Sequence, residues 1–255
     1  MNAAALTAKQ LYYENKSFWR NPASAFFTFA FPLMFLVIFN LIFGNDDFAE
    51  VDGEPISGST FYVPAIAAFS VVTACFTNIS ISMVFLRDEG ILKRVRGTPL
   101  PAGSYMLARI IHASVIALLL VAVVTVAGAI FYDVRVPTEE LPKLILIVLV
   151  GAATFSALGL AHTSIVPNAD AAPPVVNATI LPLLFISDVF IPLEDAPSWL
   201  VSFSQIFPIW HYAHLMLHAF DPTGFFEDGN LLVVAGWGIA GLLLAVRFFS
   251  WEPRR

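Results

Sequence analysis

The chain is poor in the residues on which most enzymes and most water-soluble domains depend. Only 13 % of its 255 residues are charged, against roughly a quarter in an ordinary globular domain. Its one cysteine, Cys75, lies inside an apolar run. That excludes a disulfide framework and a cysteine-based metal site, and leaves a small packing residue. None of the four lysines, Lys9, Lys16, Lys93 and Lys143, follows a glycine, so the Gly-x-x-x-x-Gly-Lys-Ser/Thr phosphate loop is missing and nucleotide binding by that device is excluded. There is no Gly-x-Ser-x-Gly nucleophile elbow, no His-Glu-x-x-His motif and no basic, aromatic-studded stretch of the kind that binds nucleic acid. What is abundant is apolar: 58 % of residues are hydrophobic and the mean hydropathy is +0.78. Lipid, rather than a large water-bounded core, is the environment this composition fits.

Six runs are apolar and long enough to cross a hydrocarbon layer of about 30 Å as helices of roughly 20 residues: 23–43, 61–86, 105–131, 143–166, 173–187 and 230–250. The first is longer than a signal-peptide core and runs into Gly44-Asn45-Asp46-Asp47 without a small-x-small cleavage pattern, so it reads as a retained span. Apolar character continues through 186–220, but Pro192, Pro197 and Pro208 interrupt it. Because proline removes a backbone donor and breaks helix interiors, this stretch predicts short re-entrant or interfacial helices; a seventh full span is the competing topology. Residues 3–20 predict an interfacial helix, with Ala4, Ala8, Leu11, Tyr12 and Trp19 in one wedge and Asn15 among them. Arg20-Asn21-Pro22 then turns the chain into the first span.

Basic residues concentrate on the cytoplasmic side of membrane proteins. Lys9, Lys16, Arg20, Arg87, Lys93, Arg94, Arg96, Arg109, Arg247, Arg254 and Arg255 fall on one side of the six-span layout, and only Arg135 and Lys143 on the other. The acids oppose them: Asp46, Asp47, Glu50, Asp52 and Glu54, then Asp188, Glu194, Asp195, Asp221, Glu227 and Asp228. Both termini are therefore expected in the cytoplasm, in a single multi-pass domain over 1–255. The expected fold is an all-α membrane protein of six transmembrane helices, with an N-terminal interfacial helix and extracellular re-entrant helices between spans five and six. Arg109 and Arg247, near span ends, can snorkel to the interface.

Two polar patterns stand out within the apolar segments. Ser70, Thr73, Thr77 and Ser80 recur at helical spacing in span two with Asn78 beside them, and small hydroxyls at such spacing let helices approach and hydrogen-bond. They serve either packing within the chain or, with Asn177 and Thr179 of span five, a substrate path. His211, His214 and His218 share a helix face. They fit a wet interface or, with Asp188 nearby, an intramembrane zinc hydrolase. His112 and His162 are isolated and read as packing residues.

The loop Arg87-Asp88-Glu89-Gly90-Ile91-Leu92-Lys93-Arg94-Val95-Arg96-Gly97-Thr98-Pro99-Leu100-Pro101 predicts two helical turns from Asp88 to Arg96, ended by Gly97 and Pro99. Ile91, Leu92 and Val95 form an apolar patch flanked by Lys93, Arg94 and Arg96, fit either for docking on a cytoplasmic partner or for setting topology alone. The same residues resemble the R-x-x-G-x-L-x-R-x-R-x-T-P-L hallmark of ABC-2-type transporter permeases. Arg20-Asn21-Pro22 with Pro32 and Phe43-Gly44, the run Leu181 to Pro192, Phe207-Pro208-Ile209-Trp210-His211 with Ala219-Phe220-Asp221-Pro222, and Trp251-Glu252-Pro253-Arg254 are similar to further family segments, in order. Asp188 stands where glycine is usual.

The resemblance implies the membrane subunit of a type V ABC exporter for a drug- or lipid-like substrate. Residues 1–22 would be its elbow helix, 87–101 its coupling helix and 186–220 its extracellular re-entrant helices. Arg87, Glu89, Gly90, Ile91, Leu92, Arg94, Val95, Arg96, Thr98 and Pro99 would couple to a separate ABC ATP-binding subunit, present in two copies and holding ATP and Mg. A second permease, identical or homologous, would pair along spans two and five, bordering a path past Ser70, Thr73, Thr77, Asn78, Ser80, Asn177 and Thr179. The resemblance implies no catalytic site, cofactor or nucleic-acid partner for this chain, and places it in the plasma or inner membrane. The alternatives are a stand-alone secondary transporter or channel, weakened because no acid lies deep in spans one to four or six, and an enzyme built on the histidine face.

Overall fold

The computed structural model describes residues 2–44, 47–51, 54–193, 196–220 and 228–253. The acids Asp46, Asp52, Glu194, Asp195, Asp221 and Glu227, and Arg254 and Arg255, lie outside the described residues. The described chain is helical apart from one small hairpin.

Helix α1 (Ala3–Trp19) starts at Asn2, whose side chain accepts from the Ala5 amide at 3.0 Å. It lies against α6, introduced below, where Ser104 donates to the Ala3 carbonyl. Asn15 accepts from the Trp19 indole at 3.1 Å, which explains a polar residue in the apolar wedge. The chain turns at Asn21, which caps the next helix through the Ser24 amide, and α2 (Pro22–Phe43) follows with proline in its first turn. Only a narrow stripe of α2 (Ala25, Pro32, Leu36 and Asn40) is buried, so most of this apolar helix faces outward.

The acidic segment expected as plain loop holds an antiparallel pair, β1 (Asp47–Val51) and β2 (Glu54–Ser57), with an irregularity between Asp47 and Ala49. Phe48 of this hairpin packs on Phe43, Phe61 and Tyr62. Those ring contacts hold a short pair that would be marginal in isolation. Ser57 then caps a long central helix through the Thr60 amide. It comprises α3 (Gly58–Val72), a π-helical turn (Thr73–Thr77) and α4 (Asn78–Asp88).

After the short α5 (Ile91–Arg96) come α6 (Ala102–Tyr132), α7 (Leu141–His162), α8 (Ala172–Phe185), α9 (Ser198–Ser204), α10 (Pro208–Phe220) and α11 (Asp228–Phe248). The central helix and α7 form the core, and α11 rides on α7. Thr154 donates to the Val234 carbonyl, and a side chain at Gly238 would collide with Thr154, so α7 and α11 meet at small residues.

Among the described residues, five helices are long and apolar enough to cross a membrane. The span expected at 173–187 appears as the 14-residue α8, about 21 Å long at 1.5 Å per residue and short of a 30 Å core. A turn at Ile186–Asp188 stops it. The expected 186–220 segment is indeed broken into short helices, α9 and α10, at Pro197 and Pro208. The turn between them reaches the middle of α11, where the Trp237 indole donates to the Ile206 carbonyl at 3.1 Å.

Candidate functional site

The corner at 87–101 exposes three basic side chains, Lys93, Arg94 and Arg96. The sequence predicted one helix from Asp88 to Arg96. Instead α4 runs through Asp88, and Gly90, at φ 71°, turns the chain into α5. Residues with a Cβ rarely adopt that conformation, so the glycine of the motif is a backbone requirement. Thr98 closes the other side: its hydroxyl donates to the Val95 carbonyl at 2.7 Å and accepts from the Leu100 amide.

Arg87 is 2 % exposed. It donates to the carbonyls of Thr163, Val166 and Pro167 at 3.1, 2.9 and 3.0 Å and pairs with Asp88, which accepts from the Ala169 amide. The first arginine of the motif therefore bolts α4 to the 163–171 link between α7 and α8. Leu92 is buried in the chain's own core, with Ile91 and Val95 half-buried. Glu89, Lys93, Arg94, Arg96, Thr98 and Pro99 are exposed. Of the expected apolar patch, Leu92 anchors α5 inward, and the outward face is cationic.

The polar stripe of span two is split by the π-helical turn. A π turn adds a residue, and one residue rotates the helix face by about 100°. Ser70 and Ser80 are fully buried, Thr73 and Thr77 half-buried, and Asn78 exposed. Ser70 and Thr73 donate back to carbonyls one turn earlier. At the π turn α7 approaches backbone to backbone: a Cβ on Gly159 would sit 2.8 Å from the Phe76 carbonyl oxygen.

Ser80 leads to a residue the sequence reading treated as isolated. Its hydroxyl meets His162 Nδ1 at 2.9 Å, and His162 Nε2 meets the Thr179 hydroxyl at 3.1 Å. Thr179 spends its own proton on the Val175 carbonyl, so it accepts from His162 Nε2–H, and Nδ1 accepts from Ser80. The imidazole thus joins α4, α7 and α8 in one chain of hydrogen bonds. Ser80 and Thr179 were named from sequence as parts of one path; their bridge was not, because nothing near His162 in the chain marks it. Asn177 is exposed on α8 and makes no contact with this chain of bonds. His162 and Thr179 also border a largely apolar cleft of about 540 Å³ with Phe76, Phe207 and Trp237.

The histidine face of α10 is dispersed. His211 faces the Asn230 amide at 2.6 Å and donates through Nε2 to the Gln205 carbonyl at 2.8 Å. His214 meets Asp188 at 3.0 Å and lies on the Trp210 ring, while His218 Nδ1 is buried with no hydrogen-bond partner among the described residues. Among the described residues no group of three such side chains could hold a metal. Asp188 has φ 54°, a left-handed angle that Asp tolerates better than most residues. Its second oxygen accepts from the Leu193 amide at 2.6 Å.

Arg109, expected near a span end, finds its partners on three helices. It pairs with Glu14 at 3.4 Å and donates to Tyr105 and Ser82, tying α1 to α4 and α6.

These features belong together in one class. The profile of the ABC-2 type transporter family matches residues 10–220, and the chain is a member of that family: a membrane transport permease of the kind that serves an ABC transporter. It is similar to a Bacillus subtilis (strain 168) protein named as transport permease YvfS, 26 % identical over 240 residues covering 93 % of this chain and 94 % of that protein. A Cyanophora paradoxa protein named as transport permease ycf38 is 26 % identical over 249 residues, 95 % of this chain and 78 % of its own length.

Proposed function

We propose that the chain is the permease subunit of an ATP-driven exporter, moving an amphipathic, drug- or lipid-like substrate outward while a separate ATP-binding subunit hydrolyses ATP with Mg. The observation that carries this reading is the corner at 87–101. It is a short helix anchored by Leu92 and bolted by Arg87, with Lys93, Arg94 and Arg96 presented to a partner. A push on α5 would pass through Arg87 into the 163–171 link and on to α8, which carries Asn177 and Thr179.

In this reading α8 counts as the fifth of six crossings despite its length, and α9 and α10 dip in from outside. The mid-depth turn is tolerable because Trp237 satisfies the Ile206 carbonyl within protein. The basic corner and both termini are cytoplasmic. A second permease, identical or homologous, lies along the exposed side of Asn78 and Asn177, and Thr73, Thr77 and Thr179 border the path between them.

Co-expression with an ABC ATP-binding subunit encoded beside the chain tests the reading. Copurification is expected, and the double variant Arg94→Glu/Arg96→Glu should lose most of it without loss of permease from the membrane. In a Cys75→Ala background, Glu139→Cys should react with an impermeant thiol reagent added outside, and Arg94→Cys should not. Transport by the isolated chain, or labelling in the reverse pattern, overturns the proposal.

A further inference from the structure

A cavity of about 200 Å³ opens between α1, the start of α2, the π-helical turn and α6. Its wall includes Glu14, Ser17, Asn78, Arg109 and His112, whereas the clefts around Trp237 and Trp251 are lined chiefly by apolar side chains. Glu14 and Arg109 face each other here, 14 % and 15 % exposed, so both charges have lost most of their water.

Neither charge is fully used. Arg109 Nε donates to Tyr105, one terminal nitrogen to Ser82, and the other stands against Glu14. A guanidinium has five N–H donors in a planar fork, a type of group that suits phosphate oxygens, and at least two of them remain. Glu14 Oε1 accepts from Gln10 at 2.8 Å, while its other oxygen contacts Arg109 as an ion pair without an aligned hydrogen bond. The side chains of Ser17, Asn78 and His112 have no hydrogen-bond partner among the described residues. The cavity therefore offers spare donors beside a cation and a spare acceptor on an anion, with no net charge from the pair. Its depth follows from α1: Tyr12, Tyr13 and Trp19 are each at least half exposed, and such residues sit at the level of lipid headgroups.

We propose that this cavity is a binding site for the headgroup of a zwitterionic phospholipid of the ethanolamine class. The phosphate sits on Arg109 with Asn78 and His112, the ammonium on Glu14, and the acyl chains stay in the surrounding apolar phase. An anionic headgroup would set its phosphate beside Glu14 with no ammonium to offset it, and diacylglycerol would leave the spare donors and the spare acceptor unmet. The site depends neither on which face of the membrane α1 occupies nor on what the protein transports; it shares only Asn78 with the exporter reading, and its Glu14 and Arg109 part can fail independently of it.

Native mass spectrometry of the full chain, delipidated in detergent, tests the site by titration with short-chain phosphatidylethanolamine, phosphatidylglycerol and diacylglycerol. The ethanolamine lipid should bind about tenfold more tightly than either other, equivalent to ~1.4 kcal/mol. Glu14→Gln should erase the preference over phosphatidylglycerol. Asn78→Leu, at an exposed position outside the ion pair, should weaken ethanolamine-lipid binding several-fold with an unchanged unfolding temperature. Equal affinity of the wild-type chain for all three lipids overturns the proposal, as does an undiminished preference in folded Glu14→Gln or undiminished affinity in Asn78→Leu.

Discussion

Two turns of this chain solve the same backbone problem by opposite means. Gly90, between α4 and α5, and Asp188, after α8, both have positive φ, 71° and 54°. At Gly90 a Cβ would meet nothing within 4 Å, so glycine is there for the angle alone, and what surrounds it is open. At Asp188 the side chain is the structure: one oxygen holds the Leu193 amide and the other His214. The first corner is therefore free at its apex and fixed at its root, by Arg87, whereas the second is fixed at its apex. The latter seats α10 against the end of α8.

Removing the root should have the largest effect. Arg87→Met strands three carbonyls and Asp88 in a buried site, and breaking such a cluster from one side costs about 3–5 kcal/mol. Thermal unfolding of the purified protein in micelles measures this. Arg87→Lys should fall between, because an ammonium lacks the planar fork that meets several carbonyls at once. A loss below about 1 kcal/mol for Arg87→Met would mean that the corner is not bolted and the contrast with Asp188 is lost.

The second turn should respond less, and in a telling order. Asp188→Ala loses two hydrogen bonds of a charged acceptor and adds left-handed strain, together about 2–4 kcal/mol. Asp188→Gly relieves the strain and should cost about 1–2 kcal/mol for the bonds alone. A double-mutant cycle with His214→Ala should show coupling of at least about 0.5 kcal/mol. If Asp188→Gly is neutral and uncoupled from His214, the turn works as a plain glycine corner and the two regions are alike.

Much of this was legible in the sequence, and what was not has a physical reason. Gly97 announced its role because cap chemistry is local, whereas the turn at Gly90 was hidden inside what reads as one helix from Asp88 to Arg96. The hydrophobic runs gave five long helices to within a few residues. The π-helical turn had no local signal: Thr73–Thr77 reads as ordinary helix, and the close approach of Gly159 to it is a tertiary contact. His162 and Arg109 were read without their partners for one shared reason. Their partners, Ser80 with Thr179 and Glu14 with Ser82, come from elements far away in the chain, and periodicity says nothing about which distant side chain fills a buried polar need. Arg87 looked like one more basic loop residue, since composition cannot tell a buried arginine from an exposed one. The β hairpin was hidden by its own acidity, and the ring contacts of Phe48 that hold it are likewise long-range.

The smallest effect is expected at Gly90, and it sharpens the contrast most. Gly90→Ala meets no steric obstacle, so its cost is the left-handed angle alone, about 1–2 kcal/mol. Gly90→Asn should recover most of that, since Asn visits this region far more readily. Neither variant removes a contact from Arg87 or Leu92, so the anchored side of α5 should keep its packing. What changes is the readiness of the corner to hold its angle. Copurification with the ATP-binding subunit should therefore survive in Gly90→Asn and fall in the β-branched Gly90→Val, whose left-handed penalty is the greatest of the three. The readout separates angle from stability if unfolding temperature and retained partner are measured on the same preparations. Should all three variants be equally stable, the positive φ at 90 is not a constraint on the chain. The difference between a turn set by a missing side chain and one set by a bonded side chain would then rest on Asp188 alone.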